Sequence, residues 1–250
     1  MKRLTTSLNI IPLRAEPTHR SEQVTQVLFG EELLLLDEND DFIKVQMRDT
    51  GYEGWAQRVQ LTEMDPAWGE HSECIVGLGP VHANNGTQRV RLYHGSPVYA
   101  DRIAMGGEYF DIEGATRQPN LGDFVSEFPK LLDHYLRTPY LWGGRSATGI
   151  DCSGLSQVFL AHFGIKLKRD AYQQAESGEL VNFLSEVKAG DLAFFDNKDG
   201  KITHVGVMID SENIVHASGE VRIDKLDQQG IYHTGLQKHT HQLRIIKRYF

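Results

Sequence analysis

The stretch that most limits what this chain can become runs from Thr138 to Leu155: Thr-Pro-Tyr-Leu-Trp-Gly-Gly-Arg-Ser-Ala-Thr-Gly-Ile-Asp-Cys-Ser-Gly-Leu. It reads as a glycine-rich loop that delivers Cys152 to the head of an amphipathic segment. Leu155, Val158, Phe159 and Phe163 recur there at helical spacing, and Gly164 is placed to stop the helix. A thiol at a helix N-terminus feels the positive end of the helix dipole and unpaired N–H groups, both of which favour the thiolate, the attacking species. The same N–H groups suit the oxyanion of a tetrahedral intermediate. The stretch therefore reads as a seat for a nucleophile. Taken alone the cysteine leaves another reading open, a small buried apolar residue, because a nucleophile also needs a histidine from elsewhere in the chain.

The 250 residues suffice for roughly one to three domains with a sizeable core. A formal net charge of -8 and a pI near 5.8 argue against a basic nucleic-acid groove or a polybasic membrane patch, and a cationic or neutral small substrate is easier to accommodate. Cys74 and Cys152 are the only cysteines. They fall in different expected domains, so no disulfide is expected, and Cys74 reads as a buried apolar residue. The N-terminal stretch from Met1 to Pro12 is charged but has no apolar h-region, and no run of 18 apolar residues occurs. A cytoplasmic protein is expected, or a periplasmic or secreted one if a signal peptide has been removed. We expect a monomer.

Residues 1–62 read as short strands. Phe42-Ile43-Lys44-Val45-Gln46-Met47 alternates in the period of a half-buried strand, and Asp49-Thr50-Gly51 turns the chain into Tyr52-Glu53-Gly54-Trp55-Ala56. The order of pieces, from Arg14-Ala15-Glu16-Pro17 through the Phe29-Gly30-Glu31 turn to Gly54-Trp55, resembles a bacterial SH3 domain. Asp65-Pro66-Ala67-Trp68-Gly69 reads as a linker, and residues 63–122 as a second, diverged SH3-like barrel with strands near Arg89–Tyr99 and Gly106–Ile112. From residue 123 to 250 helices come first, on either side of Pro129 and after Cys152, and strands follow at Gly190–Asp196, His204–Asp210, Asn213–Ala217 and Leu243–Tyr249. That order is an α+β layout in which a nucleophile on a helix faces bases on a sheet.

Two histidines complete the site. His204 opens one strand and His216 sits on the next, across the Asp210-Ser211-Glu212 turn, so antiparallel pairing can bring them side by side. In a cysteine system one imidazole takes the thiol proton and returns it to the leaving amine, while a third group fixes its tautomer. His204 is assigned as the base and His216 as the orienting residue; as single residues, each also fits an ordinary strand histidine.

Tyr140-Leu141-Trp142-Gly143-Gly144, Asp151-Cys152-Ser153-Gly154-Leu155, Gly190-Asp191-Leu192, Thr203-His204-Val205-Gly206-Val207 and His216-Ala217-Ser218 resemble, in order, the motifs of the NlpC-type (NlpC/P60) cysteine peptidases. The resemblance covers about half the chain. It implies a papain-like α+β core with a Cys-His-His triad of Cys152, His204 and His216, preceded by two small all-β SH3-like barrels. With those barrels in front, the arrangement resembles the bacterial enzymes that hydrolyse the γ-D-glutamyl-L-diamino acid bond (diaminopimelate or Lys) of peptidoglycan stem peptides, including forms that recycle murein peptides with a free N-terminal L-Ala. The resemblance implies that Tyr140 lies beside the nucleophile, that Asp151 and Ser153 contact the substrate, and that Tyr52 and Glu22 help read the free amine. The residues themselves also allow Asp151 as a helix cap, Tyr52 as a barrel-surface aromatic and Glu22 as a solvated side chain, and Trp142 reads as a core aromatic. One departure is Ala171 in Arg169-Asp170-Ala171, where relatives often carry Ser, so a hydroxyl that could contact substrate is missing.

No cofactor or metal is expected. The chain has no His-Glu-x-x-His, no Cys-x-x-Cys and no phosphate-binding loop, and His233, His239 and His241 lack the company of a zinc site. Two other functions fit the same residues: a Cys-His amidase or acyltransferase on another wall or lipid substrate, and a non-catalytic protein that binds cell-wall fragments. Peptidoglycan-derived peptides are the expected partners, with no nucleic acid and no membrane.

Overall fold

Alternating strands separated by turn residues dictate the first half of the fold. A computed structural model, described over residues 2–65 and 74–250, shows seven short strands there. They are β1 (Arg3–Thr5), β2 (Ile10–Arg14), β3 (Gln23–Leu28), β4 (Leu33–Glu38), β5 (Phe42–Met47), β6 (Glu53–Gln57) and β7 (Thr62–Glu63), in one antiparallel sheet of order β3-β2-β6-β5-β4-β1-β7. The alternation in β5 is realised as expected: Ile43, Val45 and Met47 are buried while Lys44 and Gln46 face outward. Leu13, Val27, Leu33 and Ala56 complete that core. Pro66-Ala67-Trp68-Gly69 of the expected linker lie outside the described residues.

The next strands are β8 (Cys74–Val76), β9 (Val81–Asn84), β10 (Arg89–Leu92), β11 (Pro97–Val98), β12 (Arg102–Met105), β13 (Glu108–Glu113) and β14 (Thr116–Arg117). They form a four-stranded sheet, β10-β9-β13-β12, and a three-stranded one, β11-β8-β14. Val76, Val81, Leu92, Ile103 and Phe110 share one core with Phe29 and Met64, and Cys74 is half-buried against it. The chain up to Lys130, together with Ala161–Gly164, is one compact unit; Leu131–Leu160 with Ile165–Phe250 is a second.

Helical segments were expected on either side of Pro129, but α1 (Phe124–Tyr135) runs through it. The proline removes the hydrogen bond that Val125 would accept, and both residues are exposed, so that carbonyl is open to solvent. In the second unit follow β15 (Arg145–Ser146), β16 (Gly149–Ile150), α2 (Cys152–Ala161), α3 (Ala171–Ala175) and β17 (Glu179–Val181). Then come β18 (Leu192–Asp196), β19 (Ile202–Met208), β20 (Asn213–Ser218), β21 (Glu220–Asp227), β22 (Gly230–His233) and β23 (Lys238–Arg248). The sheet runs β17-β23-β18-β19-β20-β21-β22, and β22 also pairs with β23, so β18 to β23 close on themselves as an antiparallel barrel.

The segment after Cys152 is a helix as expected, yet it is not amphipathic in its setting, for every residue from Cys152 to Leu160 is buried. Its polar side chains survive burial because they are paired. The Ser156 hydroxyl donates to Gln174 Oε1 at 2.7 Å, and Gln157 Nε2 donates to the Leu167 carbonyl at 3.0 Å. Gly164, at φ 89°, turns the chain away past the end of the helix.

Candidate active site

Cys152 is the first residue of α2, where backbone N–H groups have no intrahelical partner. Asp151 locks the loop to this helix. Its Oδ1 accepts the Gly154 N–H at 2.7 Å, the geometry of a helix cap, while Oδ2 accepts the Gly143 N–H from the preceding loop at 2.8 Å. Arg169 closes the arrangement from the α3 side, donating through Nη2 to Asp151 Oδ2 at 2.5 Å and through Nη1 to Oδ1 at 3.1 Å and to the Ser153 hydroxyl at 2.7 Å. The helix and loop approach so closely that a Cβ on residue 154 would run into the Gly144 carbonyl oxygen and would come within 2.9 Å of Asp151 Oδ1, which explains Gly154. The strand-like run from Arg137 to Tyr140 lies along β21: Tyr140 N–H donates to the Gly219 carbonyl at 2.9 Å and Val221 N–H to the Thr138 carbonyl at 2.8 Å.

The histidines come from the closed sheet. The register pairs Val207 with Val215, which sets Gly206 opposite His216 and puts His204, two residues away, on the same face. A Cβ on residue 206 would sit 3.0 Å from His216 Cβ and 2.6 Å from Ile214 Cδ1, so glycine makes the room that His216 occupies. His204 Nε2 and His216 Nδ1 are hydrogen-bonded at 2.9 Å. His216 Nε2 continues the run to Asp224 Oδ2 at 3.1 Å, and Arg222 Nε donates to the same oxygen at 2.8 Å. Arg222 faces His216 across the β20–β21 pairing, and Asp224 follows on the same face. The His204 ring packs against His241, stacked at 4.1 Å between centroids and 24° between planes, and against Phe195 at 5.7 Å, and those two rings also touch each other.

Electrostatics set the resting protonation. Burial pushes the Cys152 thiol up to about 11, with Asp151 adding to it, while hydrogen bonds from the backbone at Val205 and Ser153 and the charge of Arg169 oppose. The bond from Val205 sets the sulfur beside the strand that carries His204. Burial, joined by His241, His216 and Arg222, holds His204 well below its ordinary value. Burial lowers His216 as well, against the pull of Asp224, and lowers His241 to about 4. Burial alone would raise the Asp224 carboxyl, but its hydrogen bonds with His216 and Arg222 outweigh that and hold it at about 2. The resting site is thus a neutral thiol beside a neutral imidazole, with an ionised carboxylate at the far end of the histidine run.

Of the residues expected from sequence, the structure gathers Cys152, His204 and His216 in the second unit. Tyr140 joins them: burial and then the nearby Cys152 and Asp151 raise its hydroxyl. Asp151 and Ser153 flank the thiol but spend their polar atoms on the cap and on Arg169. Trp142 is not a core aromatic. It is 58% exposed, on a loop that faces solvent ahead of Cys152. Ala171 is buried at the start of α3. Tyr52 and Glu22 lie in the first unit, Tyr52 half-buried against the core around Leu13 and Glu22 exposed with its backbone carbonyl accepting the Ala15 N–H.

The sequence reading missed Arg169, Arg222, Asp224 and His241. The signal for Asp224 was present in Glu220-Val221-Arg222-Ile223-Asp224, where charge alternates with apolar residues in the period of a strand. His241 leaves the group of C-terminal histidines: His239 pairs with Asp227 at 2.9 Å, while His241 brings a nitrogen within 4.8 Å of nitrogens of His204 and His216. Three such imidazoles are a possible metal set, but His204 and His241 stack face on face, and His204 Nε2 is engaged with His216.

Comparison with known proteins agrees with this geometry. Residues 137–244 match the NlpC/P60 family, and residues 13–61 match the bacterial dipeptidyl-peptidase SH3 domain. The chain is similar to the gamma-D-glutamyl-L-lysine dipeptidyl-peptidase of Bacillus subtilis, 28% identical over 218 residues that span 77% of this chain and 71% of that protein. It is also similar to dipeptidyl-peptidase 6 of Lysinibacillus sphaericus, 27% identical over 251 residues, 87% of this chain and 89% of the other. The crystal structure of an NlpC/P60 family protein from Bacillus cereus shares the fold, with a TM-score of 0.79 over 99% of both chains at 19% identity. A buried cysteine at a helix start, backed by two hydrogen-bonded histidines on a closed antiparallel sheet, is thus carried by a chain that holds an NlpC/P60 domain at residues 137–244 and a bacterial dipeptidyl-peptidase SH3 domain at residues 13–61.

Proposed function

We propose that the protein is a cysteine peptidase that hydrolyses the γ-D-glutamyl amide to L-lysine or diaminopimelate in peptidoglycan stem peptides with a free N-terminal L-Ala. The observation that carries the reading is the run from His204 Nε2 through His216 to Asp224, which leaves His204 Nδ1 for the thiol proton. The Cys152 sulfur attacks the γ-carbonyl carbon as its proton passes to His204 Nδ1, and the carbonyl oxygen becomes an oxyanion that backbone N–H groups at the start of α2 can hold. Collapse breaks the C–N bond, the amine of the diamino acid takes the proton from His204, and a thioester remains on Cys152. Water then attacks the thioester, giving its proton to His204, which passes it to the departing sulfur.

The substrate class is supported by the relatives named gamma-D-glutamyl-L-lysine dipeptidyl-peptidase, since release of a dipeptide requires an unblocked N-terminus. A free L-Ala exists only after the peptide has left the glycan, so we place the activity in the recycling of such peptides in the cytoplasm. The test is digestion of L-Ala-γ-D-Glu-L-Lys and its diaminopimelate counterpart, followed by mass spectrometry. Wild type releases the free diamino acid and Cys152→Ala releases none while keeping its circular dichroism; cleavage by the variant would refute the nucleophile. Equal rates on free and N-acetylated peptides would remove the contribution expected of Tyr52 and Glu22.

A further inference from the structure

Beyond Cys152, His204 and His216, a buried polar run continues behind His216 to Asp224 and Arg222. We infer that Asp224 is a positioning residue that sets the tautomers of both histidines and so keeps His204 Nδ1 free to act as the base. The inference rests on the peptidase reading above.

The argument is a count of protons. An ionised carboxylate has no proton to give, so at the 3.1 Å contact His216 Nε2 is the donor. A neutral imidazole carries one N–H, so His216 Nδ1 is then a bare acceptor. At 2.9 Å it faces His204 Nε2, which must therefore be the N–H of His204. That leaves Nδ1 of His204 with its lone pair, the state a general base needs. Reversing any one step reverses the whole run. If His216 carried its proton on Nδ1, it would donate to His204 Nε2, and His204 would present an N–H in place of a lone pair.

Two features keep the run in the productive sense. Arg222 Nε donates to the same Asp224 oxygen at 2.8 Å and Arg222 also donates to the Ser218 carbonyl, so the carboxylate is fixed in place and kept charged. His216 is fully buried and the Asp224 side chain is 9% exposed, which leaves little access for water as a substitute acceptor. During turnover no proton reaches Asp224. The thiol proton sits on His204 Nδ1, His204 Nε2–H stays on His216, and the carboxylate steadies the imidazolium through the intervening ring.

The experiment reads the tautomers directly, by long-range correlated spectra of the 15N-histidine-labelled wild-type protein at neutral pH. Both His204 and His216 are expected to carry their proton on Nε2; a proton on Nδ1 of either would overturn the inference, whatever the substrate proves to be. The second arm uses Asp224→Ala and Asp224→Asn with L-Ala-γ-D-Glu-L-Lys. Asp224→Ala is expected to lower kcat by about 10²–10⁴-fold with little change in KM and to move the His216 proton to Nδ1. Asp224→Asn keeps an oxygen acceptor and should retain the Nε2 tautomers with an intermediate kcat. A full kcat in Asp224→Ala, or a lost kcat with unmoved tautomers, would refute the assignment. Should Asp224→Ala fail to fold, the wild-type spectrum still decides. Absence of cleavage by wild type would sink the peptidase reading and leave the tautomer result standing.

Discussion

Arg169 offers the sharpest test of what holds the nucleophile loop. It is 2% exposed and Asp151 is 4% exposed, and the two share hydrogen bonds at 2.5 and 3.1 Å. Arg169→Met keeps much of the volume and removes the positive charge bonded to the Asp151 carboxylate. Breaking a buried pair from one side costs about 3–5 kcal/mol, because a charge is left without its partner. Asp151 retains the Gly143 and Gly154 N–H groups, so the low end of that range, about 3 kcal/mol, is expected. At about 2–4 °C per kcal/mol for a chain of this size, Tm should fall by about 6–12 °C. The assay is calorimetry with urea unfolding alongside, where the midpoint should move without a change in slope. Asp151→Asn combined with Arg169→Met removes both charges and should be more stable than the sum of the single losses implies, since residues in contact are not additive. A loss below about 1 kcal/mol in Arg169→Met would refute the argument by showing that the carboxylate does not depend on the guanidinium.

Two further perturbations follow from the geometry. Gly206→Ala inserts a methyl group where Ile214 Cδ1 and His216 Cβ would lie at 2.6 and 3.0 Å; it should destabilise by about 1–3 kcal/mol and lower kcat more than it raises KM, and wild-type stability with wild-type kcat would contradict the packing argument. In the first unit His162 is buried and bonded to His94 at 2.9 Å, and burial, reinforced by Arg117 and opposed by Glu127, lowers it to about 4 against an ordinary value of 6.5. Because the folded value lies below the unfolded one, the unfolded chain binds the extra proton. The stabilisation is complete above about pH 6.5 and is lost as pH falls toward 4. His162→Gln should therefore flatten the fall of Tm between those limits, and an unchanged slope would remove His162 from the acid response.

The sequence placed Cys152, His204 and His216 on the elements that carry them because each sits in a motif with its own local logic: a cysteine behind a helix cap, and two histidines on strands joined by a tight turn. It carried the strand β5 for the same reason, since Ile43, Val45 and Met47 alternate with polar residues. What it did not carry depends on contacts between distant segments. Asp224 matters only because β21 pairs with β20 in the register that faces His216 with Arg222, and the strands read from the sequence skip the stretch between Ala217 and Leu243. Arg169 is a charged residue in an unremarkable loop until its guanidinium meets Asp151. Trp142 was misplaced since an aromatic beside glycines gives no clue to which side of the loop is solvent.

The thiol illustrates how two correct local arguments are decided by size. A helix N-terminus favours a nearby negative charge by about 0.3–1 kcal/mol, below one pKa unit at 1.36 kcal/mol each. Burial in an apolar setting can shift a group by about 3–5 units in the other direction. Cys152 lies among buried residues on every side of α2, so burial wins and the thiol rises to about 11. Its histidine is lowered by the same burial, so in the resting site neither group has reason to ionise alone. On the proposed mechanism, charge then appears on sulfur and imidazole together, when the substrate carbonyl is at hand to take the electron pair. The backbone groups at Val205 and Ser153 and the Asp224 carboxylate already lie where those charges develop, at the sulfur and behind the histidines. On the proposed mechanism, the loop from Thr138 to Leu155 accordingly places the nucleophile, and the closed sheet governs when it becomes one.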